Sequence, residues 1–452
     1  MRLTGFRRLV ASSLMLAVFA HAETRPHYGG TLRAATRAAP LSLDPVQSDA
    51  ITSRNLFSLI FDTLIVFDRA GRPQPSLAAS WEAEAGNQRW RFSLRSGVTF
   101  ADGTAVNADA VAASLRAANP SWKVGTGNNT VVIERDLPAP DLPTELALPR
   151  NSIVKRDGGK ATGTGAFTVS QWDPGKKLVL AAREDYWGGR PFLDSIEIEL
   201  GRNLREQLIA FDLGKLQIIE VAPELAHSAG AQGRRIESSF PGELIALVFA
   251  REPSPPEDAR LRDALSLSID RKLLNTVLVQ DAGEATGGLL PNWMTGYGVV
   301  FPAEMDLRRA QQERSEIARA ALWNLGFDAN DPLERVVAER IVLNAQQAGL
   351  RLQLANGTAA DLRLVRILLA SPDPHIALRE LASALGFPPP KFGSGSIEEL
   401  YEAENSLLQS KKVIPLLHLR SAAAVSALVK GWSEQPDGNS RLADVWLTPE
   451  KP

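Results

Sequence analysis

Four histidines lie beyond residue 21, His27, His227, His375 and His418, and none stands three or four positions from another, so no helical zinc pair is encoded locally. His375 lies two residues after Asp373, a spacing at which an imidazole and a carboxylate could share a nickel ion. The chain has no cysteine, which excludes thiolate ligands, disulfides and a lipid-bearing residue behind a leader. No G-x-S-x-G elbow occurs, and Gly393-Ser394-Gly395-Ser396 reads as a flexible loop. The stretch from Gly158 to Gly163, GGKATG, lacks the Lys-Ser/Thr that completes a phosphate loop. Glu82 with Glu84, and Glu197 with Glu199, have strand-like spacing and face water; whether any carboxylates sit as a glycosidase needs is a matter of spatial separation. Neither an enzyme nor a cofactor is expected.

Binding chemistry has better candidates. Trp293 and Tyr297, in the loop Leu290 to Tyr297, offer rings for a flat or apolar solute, or else pack on their own helices. Arg366 can fork onto a carboxylate, or stand as an ordinary exposed strand arginine. Ser371 and Asp373 follow that strand at its carboxyl end, where α/β sheets bind ligands.

The elements that must hold these groups alternate in type. Trp90, Phe92 and Leu94 alternate with Arg91, Ser93 and Arg95, the pattern of a half-buried strand, and Asn107 or Asp109 can cap a helix from about Ala110 to Leu115. Strands are expected at Gly30 to Thr36, Thr130 to Glu134, Lys177 to Ala182, Ser195 to Leu200, Glu243 to Phe249, Leu350 to Leu354 and Asp361 to Leu369. Lys412 to Leu419 is another, placed near an edge by Pro415. Helices are expected at Ile51 to Leu64, Leu204 to Leu213, Ala259 to Val279, Asp306 to Leu325 and Leu333 to Ala348. Asp136 to Pro149 is rich in proline and reads as irregular and solvent-facing.

Arg2, Arg7 and Arg8 precede an apolar run from Leu9 to Ala20, and Ala20-His21-Ala22 is a small-x-small cleavage site, so residues 1–22 read as a secretory signal peptide. A periplasmic protein without a lipid anchor is expected. A chain of 452 residues exceeds one growing core, which predicts two or three lobes. The net charge of −2 and the dispersed basic residues argue against nucleic acid as a partner.

Seven ordered blocks resemble one family, the extracellular solute-binding proteins of peptide and nickel import systems (family 5). They are Gly29 to Leu32 with Leu43-Asp44-Pro45, Leu56 to Leu64, Pro75 to Trp81 with Gly97 to Ala110, Gly163 to Phe167, Asp185 to Pro191, Leu261 to Arg271, and Pro415 to His418 with Val429 to Trp432. The resemblance implies an α/β fold of the bilobed periplasmic-binding-protein type (type II, cluster C), with mixed sheets, a hinge and a small inserted third domain. Lobe I would comprise 23–47, 162–244 and 425–452, the inserted domain 48–161, and lobe II 245–424. It implies capture of a small or oligopeptide solute by hinge closure, as a monomer, and delivery to the permease of an ABC importer; a sensor presenting its closed form to a receptor is the alternative. It also brings Leu43 and Asp44 to the cleft. Peptide-binding members carry an aspartate for the ligand's α-amino group about where this chain has Ala370, which argues against free peptides because a buried ammonium needs a counter-charge.

Overall fold

The computed structural model describes residues 25–47, 49, 51–253, 256–318, 322–355, 360–432 and 442–448, so the expected leader at 1–22 falls outside the described residues. Among them, eleven strands form one sheet: β1 (Thr31–Ala35), β2 (Phe167–Asp173), β3 (Lys177–Ala182), β4 (Ser195–Glu199), β5 (Ile218–Val221), β6 (Ile236–Phe249), β7 (Gly283–Ala285), β8 (Leu322–Gly326), β9 (Arg351–Ala355), β10 (Leu362–Leu368) and β11 (Val413–Val425). Their order is β2-β3-β4-β1-β5-β11-β6-β10-β8-β9, with β7 added to β11. The fold is the mixed α/β, bilobed one expected.

Two long strands carry the sheet from one half to the other. At one end Ile236 to Ser238 of β6 pair with Ala424 to Ala422 of β11, and at the other Glu243 to Val248 pair with Leu419 to Val413. Between these runs the register shifts at Ser238/Pro241 and again at Pro241/Glu243, and bulges of this kind bend and twist a strand pair. Separate cores flank the break. Leu32, Phe57, Phe167, Leu180 and Ile196 pack in the first half; Ile245, Leu265, Val337, Ile341 and Leu362 pack in the second.

A third core belongs to residues between β1 and β2. Antiparallel strands Ala78–Ala83, Arg89–Leu94, Thr130–Glu134 and Lys123–Gly127 bury Phe92, Val131 and Ile133 under helix α1 (Ala108–Ala118), which Asn107 caps by accepting from Ala110 N at 2.9 Å. Gly163 and Gly165, just before β2, let the chain pass close to the helix ending at Ile60: a Cβ on them would lie 2.0 Å from Ile60 O and 2.5 Å from Ile60 C.

Several expectations need correction. The helix expected at Ile51 to Leu64 is only Arg54–Ile60, ended by extended Phe61. Ala259 to Val279 is not one helix: Pro256–Ser268 stops where Asp270 turns back to cap Leu273 N, and shorter turns follow. Asp306 to Leu325 holds a helix only at Leu307–Ser315, since buried Trp323 and Leu325 alternate around Asn324 and make β8. β11 lies inside the sheet, between β5 and β6, and not at an edge; Pro415 is tolerated because it falls at a register shift and beyond the end of β7. Asp136 to Pro149 is not solvent-facing: Ala139, Leu142, Leu146 and Leu148 are buried around the turn Leu142–Glu145.

Candidate ligand cleft

Strand direction locates the site. β1 and β5 run parallel to each other, β5 is antiparallel to β11, and β11 is antiparallel to β6, so β1, β5 and β6 all point from the first half toward the second. β10 is antiparallel to β6 and parallel to β8, so β10 and β8 point back. The carboxyl ends of both halves' parallel strands therefore open onto one gap beside the β6/β11 crossing, the place where α/β sheets take ligands.

On the first side, Glu220 of β5 accepts from Thr36 Oγ1 at 2.6 Å, Arg37 N at 3.2 Å and Arg37 Nε at 3.1 Å, which fixes the turn leaving β1. Glu224 follows in the first turn of helix α2 (Pro223–Ala231), where the missing N–H of Pro223 costs nothing. Its Oε2 is buried without a hydrogen-bond partner, and burial pushes the carboxyl above its ordinary value, with Arg366, Asp331 and Arg37 acting on it through space. A cavity of about 400 Å³ beside the turn leaving β1 is lined by Ala38, Pro40, Ser42, Gln47 and Thr52 among others.

On the second side, Arg366 forks onto Glu243 at 3.0 and 2.7 Å and reaches Asp331 at 2.5 Å. Burial works against its charge, but the two carboxylates outweigh burial and hold the guanidinium above its usual range. Asp331 also caps helix α3 (Pro332–Gln347), accepting from Leu333 N at 2.9 Å and Glu334 N at 3.3 Å. Asp373 caps α4 (Pro374–Ala384) by accepting from His375 N and Ile376 N, and Ser371 Oγ accepts from Asp373 N at 3.1 Å.

The inserted body touches the chain just beyond β10. Ala370, at 8% exposure, packs with Leu148, Ile376 and Ile51, and buried Arg54 donates to Leu369 O at 3.1 Å.

Of the residues singled out in the sequence, Arg366, Ala370, Ser371 and Asp373 come together at the carboxyl end of β10. Trp293 sits at the crossing, its Nε1 donating to Pro241 O at 2.9 Å and its ring 5.3 Å from that of Phe240. Tyr297 turns inward, donating to buried Glu404 and lying edge-on to Phe301 and Tyr401. Leu43 packs on the first core. Asp44 is taken by Arg156 at 2.6 and 2.8 Å, an ion pair that outweighs burial and lowers its carboxyl below the usual range. His375 Nε2 lies 3.2 Å from Ser396 O with its ring against Phe392, and among the described residues no three His, Asp or Glu cluster as a metal site would need. Sequence reasoning missed Glu224, Glu220, Arg37, Arg54 and Leu148; for Glu224 a signal existed, an acidic residue after a helix-opening proline directly behind a buried strand.

Comparison with known sequences settles the family. The profile of bacterial extracellular solute-binding proteins, family 5 (middle region), matches residues 72–370. The chain belongs to this family. It is a family of binding proteins and not of enzymes. The uncharacterized protein YhjP of Bacillus subtilis (strain 168) is 37% identical over 347 residues, covering 72% of this chain and 56% of that protein. The probable deoxycholate-binding periplasmic protein YgiS of Escherichia coli (strain K12) is 25% identical, covering 65% of this chain and 63% of that protein. The chain thus spans less than two thirds of either relative. Among solved structures, the oligopeptide-binding protein AppA of Bacillus subtilis, in complex with a nonapeptide, superposes with a TM-score of 0.80 at 14% identity, covering 94% of this chain and 100% of that one.

Proposed function

We propose that this protein captures a small solute in the gap between its lobes by bending at the β6/β11 crossing, and hands it to the permease of an ABC importer outside the cytoplasmic membrane. The observation that carries this reading is strand polarity: the carboxyl ends of β1 and β5 meet those of β8 and β10 across a double register break. Lobe I is assigned 23–47, 162–244 and 425–452, the inserted domain 48–161, and lobe II 245–424, with bending centred on 238–243 and 419–422, where the pairing slips. Residues 1–22 are assigned as a cleaved leader, and the working unit as a monomer.

The walls narrow the solute. A free peptide's ammonium has no carboxylate at Ala370; it would meet Leu148, Ile51 and the guanidinium of Arg54 at the neighbouring carbonyl. A solute that presents an uncharged or apolar end there fits better, as would one resembling the deoxycholate of the relative's name. Thermal melts against a panel of bile acids, peptides, opines and nickel chelates test this. The matching solute should raise Tm in proportion to the logarithm of its concentration above Kd. Peptides giving the largest shift would overturn the assignment at Ala370, and a panel that leaves Tm unmoved would count against capture itself.

A further inference from the structure

Helix α4 of the second lobe meets the inserted body through a set of ion pairs that the proposed capture does not use. Arg150 is bound to Glu380 in a two-pronged contact, one prong at 2.9 Å, and Arg379 is bound to Asp141 and lies 3.5 Å from Glu145. Within the inserted body, Glu145 is also 3.1 Å from Arg135 and 3.8 Å from Arg150. Three guanidinium and three carboxylate groups balance, and the side chains of Asp141 and Glu145 are only 7% exposed. Apolar contact continues the seam. Leu148 lies against Ala370 and Ile376, a Cβ on Gly71 would come 3.3 Å from Pro372, and one on Gly395 would come 3.5 Å from Pro140.

We propose that Arg379 and Glu380 of α4 form a charge latch with Asp141, Glu145 and Arg150 that holds the mouth of the cleft shut without a solute, so that unlatching gates solute exchange. If the mouth parts, Glu145 keeps Arg135 and Arg150, which travel with it. Among the described residues, Asp141, Arg379 and Glu380 each lose every ion-pair partner they have. Opening therefore strips charge pairs that are sheltered from solvent, where screening by salt is weakest and loss of a partner is most costly. The latch rests on the capture reading only in that a shut mouth matters to a protein that encloses a solute.

The chain has no cysteine, so Leu137→Cys with Ala384→Cys gives two unique spin-label sites, both exposed and on opposite sides of the seam. Dipolar spectroscopy on the full chain, purified and dialysed without added solute, should give one short, narrow distance distribution. Glu380→Arg should raise the long-distance population about tenfold, and Asp141→Asn, which adds neither charge nor volume, should raise it less. The swap Arg150→Glu with Glu380→Arg should recover part of the short-distance population, since a carboxylate at position 150 also faces Glu145. A distribution untouched by both single variants, or one already long in the parent, would overturn the latch; so would a swap that folds by circular dichroism yet stays open. Because no solute enters the measurement, its failure leaves the capture reading standing, and a failed solute screen leaves the latch standing.

Discussion

His418 is 1% exposed, with its Nε2 3.0 Å from Leu289 O, and burial lowers its pKa to about 4. The folded chain thus stays neutral there while the unfolded chain binds a proton below pH 6.5, so stability is lost as pH falls from 6.5 toward 4 and is unaffected above 7. Between pH 7 and pH 5 this one group should cost about 2 kcal/mol. Urea titrations of the parent and of His418→Gln, which keeps a donor for Leu289, should differ in that fall by about this amount; parallel slopes would refute it. At this scale the sequence supplied residue types but not partners. Arg366 does fork, but onto the protein's own Glu243, 123 positions away, and Asp44 meets Arg156 across 112. Tyr297 was recognisable as a ring, but only folding brings Glu404 to its hydroxyl.

Elements were legible where one periodicity ruled. Arg89–Leu94 shows its alternation directly, with Trp90, Phe92 and Leu94 buried. Legibility failed where two patterns abut, as at Leu307–Ser315 and β8, and where burial comes from a distant element, as for Leu142 to Leu148. Gly163-Thr164-Gly165 resembles a family block, and the sequence alone does not give its reason. That reason is close approach: backbone atoms of Leu59 and Ile60 occupy the space a side chain would need, and backbone cannot swing aside. Gly165→Ala should therefore cost about 3 kcal/mol in denaturant titration. Gly125→Ala, where nothing lies within 4 Å, should cost less than about 0.5 kcal/mol. Equal costs would show that the contact is not what selects glycine.

Over the whole molecule, β6 and β11 pair as a ladder at both ends, with a single slip at Ile245/Ala246, and lose register twice in between, from Ser238 to Glu243. Exchange of backbone amides should follow that division: Leu244, Leu247 and Val248 slow, and the amides between Ser238 and Glu243 faster by at least tenfold. Uniform protection along β6 would argue against bending there. Length alone predicts two or three lobes, but their strand order is not legible, because no local pattern in 452 residues reveals which strands pair across the molecule. The pairing itself has a temporal side. Residues 422–425 fill the place between β5 and the start of β6, and the ribosome makes them only after the entire stretch from 243 to 419. The amino-terminal half thus waits, its sheet missing an inner strand, until almost everything else has been synthesised.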